Sequence, residues 1–170
     1  MDTFQRVLIQ LAILIILAGA AVYLYSTYRI PVERFLFGEP ADLIAIDNVR
    51  LRVDVADNPD ERRQGLSGRQ SLGDFEGMLF VFDTADYHGM WMRGMNFPID
   101  IFWIDNDLKV VHVEKNVSPD TYPAIFSPPT PARFVLETRA YFSETFGIEA
   151  GDKLQLVPEQ LPADLRENLR

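Results

Sequence analysis

Hydrophobic positions along the chain fall into one long unbroken run followed by several short alternating ones. Residues 7–25, VLIQLAILIILAGAAVYLY, contain a single polar side chain, Gln10, and no charge. About 20 such residues cross a hydrocarbon core of roughly 30 Å as a helix. The run shows no polar face at helical spacing, so a transmembrane helix is expected rather than a helix lying on a domain. Tyr23, Tyr25 and Tyr28 cluster where that helix would leave the lipid, and Arg29 follows. The competing reading is a cleaved signal peptide, with Arg6 as charged start, residues 7–17 as core and Ala18-Gly19-Ala20 as cleavage site. Because the apolar run continues through Tyr25, retention as an anchor is the expectation.

Residues 29–44 carry Pro31, Gly38 and Pro40 without a sustained period and read as a linker, although Phe35, Leu36 and Phe37 are apolar for a solvated tether. Leu51, Val53 and Val55 then alternate with Arg52 and Asp54, the period of a half-buried strand. Asn58 caps a short helix with Pro59 in its first turn, Asp60 and Glu61 at its positive end and Gly65 to close it. The apolar run 78–82 predicts a strand. Runs 99–104 and 108–113 flank Asp105-Asn106-Asp107, which predicts an antiparallel hairpin. Residues 118–131 hold five prolines and must form a loop. Residues 133–136 predict a strand, 141–146 a helix with Phe142 and Phe146 on one face before Gly147, and 153–157 a last strand after Gly151-Asp152.

Together these elements predict an α+β fold, mostly antiparallel β with two short helices, preceded by one transmembrane helix. The expected organisation is an anchor over 1–28, a linker over 29–44, a domain over 45–157 and a tail over 158–170.

Composition narrows the function. Sixteen Lys and Arg against 25 Asp and Glu give a formal charge of -9, opposite to the basic footprint of a phosphate binder, so no nucleic-acid partner is expected. With no cysteine, disulfides, thiolate nucleophiles and cysteine metal sites are excluded. Arg6 lies on one side of the hydrophobic run while Arg29 and Arg34 lie on the other, so charge bias nearly cancels. A short tail before a first hydrophobic segment favours a domain outside the cytoplasm. The expected location is the inner (plasma) membrane, single-pass, with the domain periplasmic or extracellular.

Catalytic signatures are sparse. His88 and His112 have no metal-ligand spacing, and His112, between Val111 and Val113, reads as an ordinary solvent-facing strand residue. No serine elbow or phosphate loop occurs. Asp105 and Asp107 are explained by the hairpin turn and lack the remaining ligands of a calcium loop. Four of the five methionines fall between Met78 and Met95. On an extended strand His88, Met90 and Met92 would share a face, and with Met95 they would suit soft Cu(I). The alternative is that these methionines fill core gaps beside aromatic rings.

Several unusual residues occur in one order: Gly65-Leu66 with Arg69 and Leu72, then the run 77–82, then Trp91-Met92 leading into Pro98-Ile99-Asp100-Ile101. Ile104-Asp105, Asn116-Val117, Pro119, Val135-Leu136-Glu137, Gly147-Ile148 and Gly151-Asp152 follow. On these residues the stretch 51–156 resembles the family called domain of unknown function 192, small bacterial and archaeal domains often found behind an export signal. The resemblance implies a compact, largely β domain in which Trp91-Met92 and Pro98-x-Asp100 lie near one another, and it has no established activity to carry over. Its motif residues Arg69, Met78, Trp91, Met92, Pro98, Asp100, Asn116, Glu137 and Asp152 form the candidate ligand or structural pocket. A buried Trp91 and Asp100 would also serve simply to hold loops together. Ala140-Tyr141 stands where family members typically carry a glycine before the short helix, and the proline-rich loop is individual to this chain.

The function expected from these readings is a membrane-anchored, non-catalytic accessory or interaction subunit, touching lipid through residues 7–25 and other subunits of a membrane complex. The alternative is a small-molecule or Cu(I)-binding protein of the cell envelope. No cofactor is expected, and Asp100 and Glu137 are the acids that would carry a proton if the protein were an enzyme.

Overall fold

In the computed structural model, residues 41–45 and 49–156 are described, with Gln5 alone outside them. The expected anchor, the linker through Pro40 with Phe35 to Phe37, and the tail 158–170 lie outside the described residues. Among the described residues no helix is long and apolar enough to cross a membrane.

Seven strands form one sheet: β1 (Ala41–Ala45), β2 (Val49–Ala56), β3 (Glu76–Asp86), β4 (Ile99–Ile104), β5 (Val110–Val117), β6 (Ala132–Arg139) and β7 (Gln155–Leu156). Their order is β5-β4-β6-β3-β2-β1-β7. Every pairing is antiparallel except β2 with β3, which run parallel across the crossover holding α1 (Pro59–Gln64). The sheet curls until its edges meet. The segment before β7 bonds to the start of β5 through Val110 N–H to Asp152 O and Leu154 N–H to Leu108 O, both 2.8 Å, so neither edge is left bare there.

Alternation along the central strands produces two cores. Leu79 and Val81 of β3, Phe102 and Ile104 of β4, and Phe134 and Leu136 of β6 face one core, joined by Phe142 of α2 (Phe142–Phe146). Phe80, Ile101, Trp103 and Val135 take the opposite face, covered by Leu66, Met90 and Met92. All six residues of β4 are therefore buried, which explains an apolar run where a half-exposed strand would alternate.

The structure departs from the sequence reading in three places. Residues 41–44, assigned to the linker, belong to β1, whose partners β2 and β7 supply the register that its own short run lacks. The hairpin turn is longer than Asp105-Asn106-Asp107. Asp105 Oδ1 accepts the N–H groups of Asp107 and Lys109, both at 2.9 Å, and the left-handed residue is Leu108, with φ 59°. The final strand is only Gln155–Leu156, because Lys153 and Leu154 are engaged in closing the sheet.

Candidate ligand-binding cleft

Glu137 sits on the central strand β6, between Met78 of β3 and Ile101 of β4 in register. Its side chain is 4% exposed, and no described residue hydrogen-bonds or pairs with its carboxyl. Burial pushes that carboxyl from an ordinary value of 4.5 up to about 8, so it is protonated at neutral pH. The strands approach closely at Gly77, where a Cβ would lie 2.8 Å from the Glu137 carbonyl oxygen.

The carboxyl opens onto a cleft of about 230 Å³. One wall is the end of α1 and the turn after it. Asn58 Oδ1 caps α1 by accepting from Asp60 and Glu61, and Gly65, at φ 49°, turns the chain so that Leu66 can enter the core. Phe80 and Phe82 of β3 form the back. The opposite wall is the segment bearing Gly89, Met90, Trp91 and Met95. It is held by paired hydrogen bonds between Met90 and Phe126 of the proline-rich loop, at 2.8 and 2.9 Å, and by Trp103 Nε1 donating to His88 O at 2.8 Å.

The cations of the walls are engaged. Arg62 donates to the carbonyls of Asp57 and Val81, the latter at 2.8 Å, and lies 5.3 Å over the Phe82 ring. Arg63 pairs with Asp60 at 3.0 Å, and Arg93 lies 5.4 Å over Trp91.

A second constellation surrounds Asp100, which is fully buried on the other face of the sheet. Its Oδ1 accepts from the N–H groups of Asn116 at 2.8 Å and Tyr141 at 3.2 Å. Its Oδ2 accepts from Ser143 N–H at 2.8 Å and Ser143 Oγ at 2.7 Å. Four bonds occupy both oxygens, so Asp100 ties β4, β5 and the start of α2 together. Ala140 N–H donates to Pro98 O nearby, at 3.3 Å.

The sequence-derived pocket is thus divided. Glu137 and Trp91 line the cleft, with Met78 beside Glu137 on the sheet; Pro98, Asp100 and Asn116 gather at the α2 end. Trp91 is not buried as expected but 43% exposed; the buried tryptophan is Trp103. Met92 is buried in the core at 1% exposure. Arg69 pairs with Asp54 at 2.6 Å, and Asp152 Oδ2 accepts Glu149 N–H at 2.8 Å in the closing turn. His112 is partly covered, 5.4 Å from the Trp103 ring and 3.1 Å from Glu114.

The thioether set does not present one face, because residues 88–95 form no extended strand beyond the single bridge at Met90. His88 stacks on Phe82 at 3.5 Å with its Nε2 2.9 Å from Thr84 O, Met92 is in the core, and Met90 and Met95 reach the cleft. Among the described residues no group of three or more His, Cys, Asp or Glu could hold a metal ion. Sequence reasoning missed Gly65, Phe80, Phe82 and Gly89 as cleft residues. The available signal was an acid, Glu137, following Phe134-Val135-Leu136 in a strand with no alternating polar face.

Fold and site together define a small α+β domain with a curled sheet and an acid-floored cleft on its outer face. The family DUF192, described as "Uncharacterized ACR", matches residues 43–156, and the chain belongs to it. Among solved structures it is similar to a protein of Sinorhizobium meliloti 1021 described as "a putative transcription regulator", with 31% identity, TM-score 0.64, and 69% of this chain and 92% of that chain covered. A protein of unknown function from Novosphingobium aromaticivorans DSM 12444 is similar at 29% identity and TM-score 0.63, covering 68% of this chain and 83% of that chain. No curated protein matches.

Proposed function

We propose that the chain is a non-catalytic binding subunit, held at the plasma membrane by residues 7–25 with its domain on the periplasmic or extracellular side, and that the cleft over Glu137 is its working site. The observation that carries the reading is the Glu137 carboxyl, which no described residue pairs with, at the floor of a cleft walled by aromatic rings and thioethers on one side and by Arg62, Arg63 and Gln64 on the other. A polar group that faces a pocket without a protein partner marks a place where a ligand can complete the bonding. Binding is favoured over turnover because the cleft walls supply no second acid, base or activated nucleophile beside Glu137, and Asp100 already has both oxygens engaged.

Trp91 at the cleft, with the exposed Ile125 of the proline-rich loop beside Gly89, supports presentation of the ligand by a neighbouring subunit. The net charge of -9 gives no support for carrying over to this chain the transcription-regulating role in the S. meliloti protein's description.

The test is a fragment screen on the full chain in detergent, read by methyl NMR of the methionines, with acids, alcohols and amines represented. Hits that move Met90 and Met95 are expected, and a library that moves neither removes the cleft as the site. Mass spectrometry of the mature N-terminus should find Met1 or Asp2, since a chain starting at Ala21 would refute the anchor. Protease added to intact spheroplasts should digest the domain, and protection until lysis would refute its orientation.

A further inference from the structure

Resting on the binding role just given to this cleft, we infer that its ligand carries a primary ammonium group on an apolar stem, seated against Glu137.

The choice of side chain at the floor is the first argument. A site that needed only a neutral hydrogen-bonding group in this position would be served by an amide, which carries no ionisation cost. A carboxyl adds one property, the capacity to become an anion, and a cation brought by the ligand to the cleft floor stabilises that anion. Among the described residues no cation pairs with Glu137, although Arg62 and Arg63 stand in the cleft wall. Arg62 is held by two backbone carbonyls, Arg93 lies over the Trp91 ring, and Arg63 pairs with Asp60 on the solvent-exposed side of α1. Across the sheet the neighbours of Glu137 are Met78 and Ile101, and the next charged group on the β2 side, Asp54, is paired with Arg69.

The walls give the second argument. On the wall facing away from Arg62 and Arg63, Phe80, Trp91, Met90 and Met95 present aromatic and polarizable sulfur surface, which suits a cation and its methylene stem better than an anion. Guanidiniums already lie over Phe82 and Trp91, so rings of this cleft do accept cations. His88 occupies a stacked position on Phe82, which leaves little of that ring free for a bulky quaternary group. A primary ammonium also donates hydrogen bonds that a quaternary one lacks, and among the described residues the Glu137 oxygens have no other donor.

Binding then proceeds as an exchange of charge. The ligand enters as the ammonium, Glu137 gives its proton to solvent, and the ion pair forms with release of one proton. A free alkylamine and a lysine side chain share this chemistry.

The experiment titrates the full-length protein in detergent with n-butylamine, N-acetyl-lysine amide, n-butanol and butyrate, reading the Met90 and Met95 methyl resonances, with the core residue Met92 as the buried reference. Both amines are expected to bind in competition, butyrate not at all, and a bound lysine amide tighter than butylamine would point to a peptide source. Amine affinity should rise about tenfold per pH unit from pH 6 to 8, while the ionised fraction of Glu137 grows, and then level off. Glu137→Gln should weaken the amines roughly 100-fold and abolish the pH dependence of their binding. If that variant fails to fold, the pH slope of the parent decides alone. Butyrate or butanol binding in preference to the amines, or amine affinity flat or falling with pH, overturns the ammonium assignment while leaving the cleft as a site. Silence from every probe overturns both.

Discussion

Asp100 takes both hydrogen bonds that Ser143 offers, its N–H at 2.8 Å and its Oγ at 2.7 Å. The same carboxylate accepts from Asn116 and Tyr141, the two residues held at φ 51° and 64°. One buried acid thus stabilises two left-handed turns and the first turn of α2. Each buried N–H left without an acceptor costs about 1–3 kcal/mol, so Asp100→Ala should destabilise the fold by about 3–5 kcal/mol. Ser143→Ala, which removes the hydroxyl bond alone, should cost about 1 kcal/mol. Urea unfolding of the two variants checks the account, which fails if their costs are equal.

Gly77 of β3 pairs with Thr138 of β6, and the side a Cβ would take faces the core of Val53 and Leu136. A methyl there would meet the Glu137 carbonyl oxygen at 2.8 Å and Leu136 Cδ1 and Val53 Cγ1 at 3.3 Å. The first contact is to backbone, which cannot rotate away, so the strand pair itself must yield. Gly77→Ala should cost about 1–3 kcal/mol in urea unfolding, and it should move the Met78 methyl resonance. An unchanged midpoint would show that the pair is looser than its register implies.

Tyr141 occupies the position where the family pattern led to an expected glycine, and its φ of 64° shows why glycine would fit. Its hydroxyl accepts from Asn116 Nδ2 at 2.9 Å, which offsets part of the backbone strain. Tyr141→Gly exchanges that bond for relief of about 1 kcal/mol of strain and should be neutral within about 1 kcal/mol. Tyr141→Val loses the bond and places a β-branched side chain in the left-handed region, with an expected cost of about 2 kcal/mol. Equal midpoints for the two would remove the conformational explanation.

Local signals in the sequence were sufficient where a few neighbouring residues settle the geometry. Asn58, Pro59 and Gly65 place α1 by capping and termination, and the apolar run 99–104 is β4 residue for residue. What sequence could not supply were pairings set at a distance. The parallel β2/β3 pair, the role of β1 and the meeting of β5 with the segment before β7 depend on partners up to about a hundred residues away. The site divided in the same manner. The shared motif placed Trp91 and Asp100 in one pocket, yet side chains of alternate parity emerge on opposite faces of a sheet. Asp100 therefore points to α2, while Glu137, of the other parity, faces the cleft.

Glu137 also makes stability depend on pH in a direction opposite to that of a paired carboxylate. Its folded value of about 8 lies above the ordinary 4.5, so between these the unfolded chain has lost the proton that the folded chain keeps. The folded state binds more protons throughout that window, and stability therefore falls as pH rises. The contribution is fully present below pH 4.5 and is lost as pH climbs to about 8, at roughly 1 kcal/mol per unit. Glu137→Gln removes the titrating group and keeps the shape, so its stability should be less dependent on pH across that range, with the variant gaining on the parent by a few kcal/mol toward pH 8. Urea midpoints for both proteins at half-unit steps from pH 5 to 9 supply the measurement. Parallel curves would mean that the carboxyl is hydrated in the empty cleft and holds an ordinary affinity for its proton.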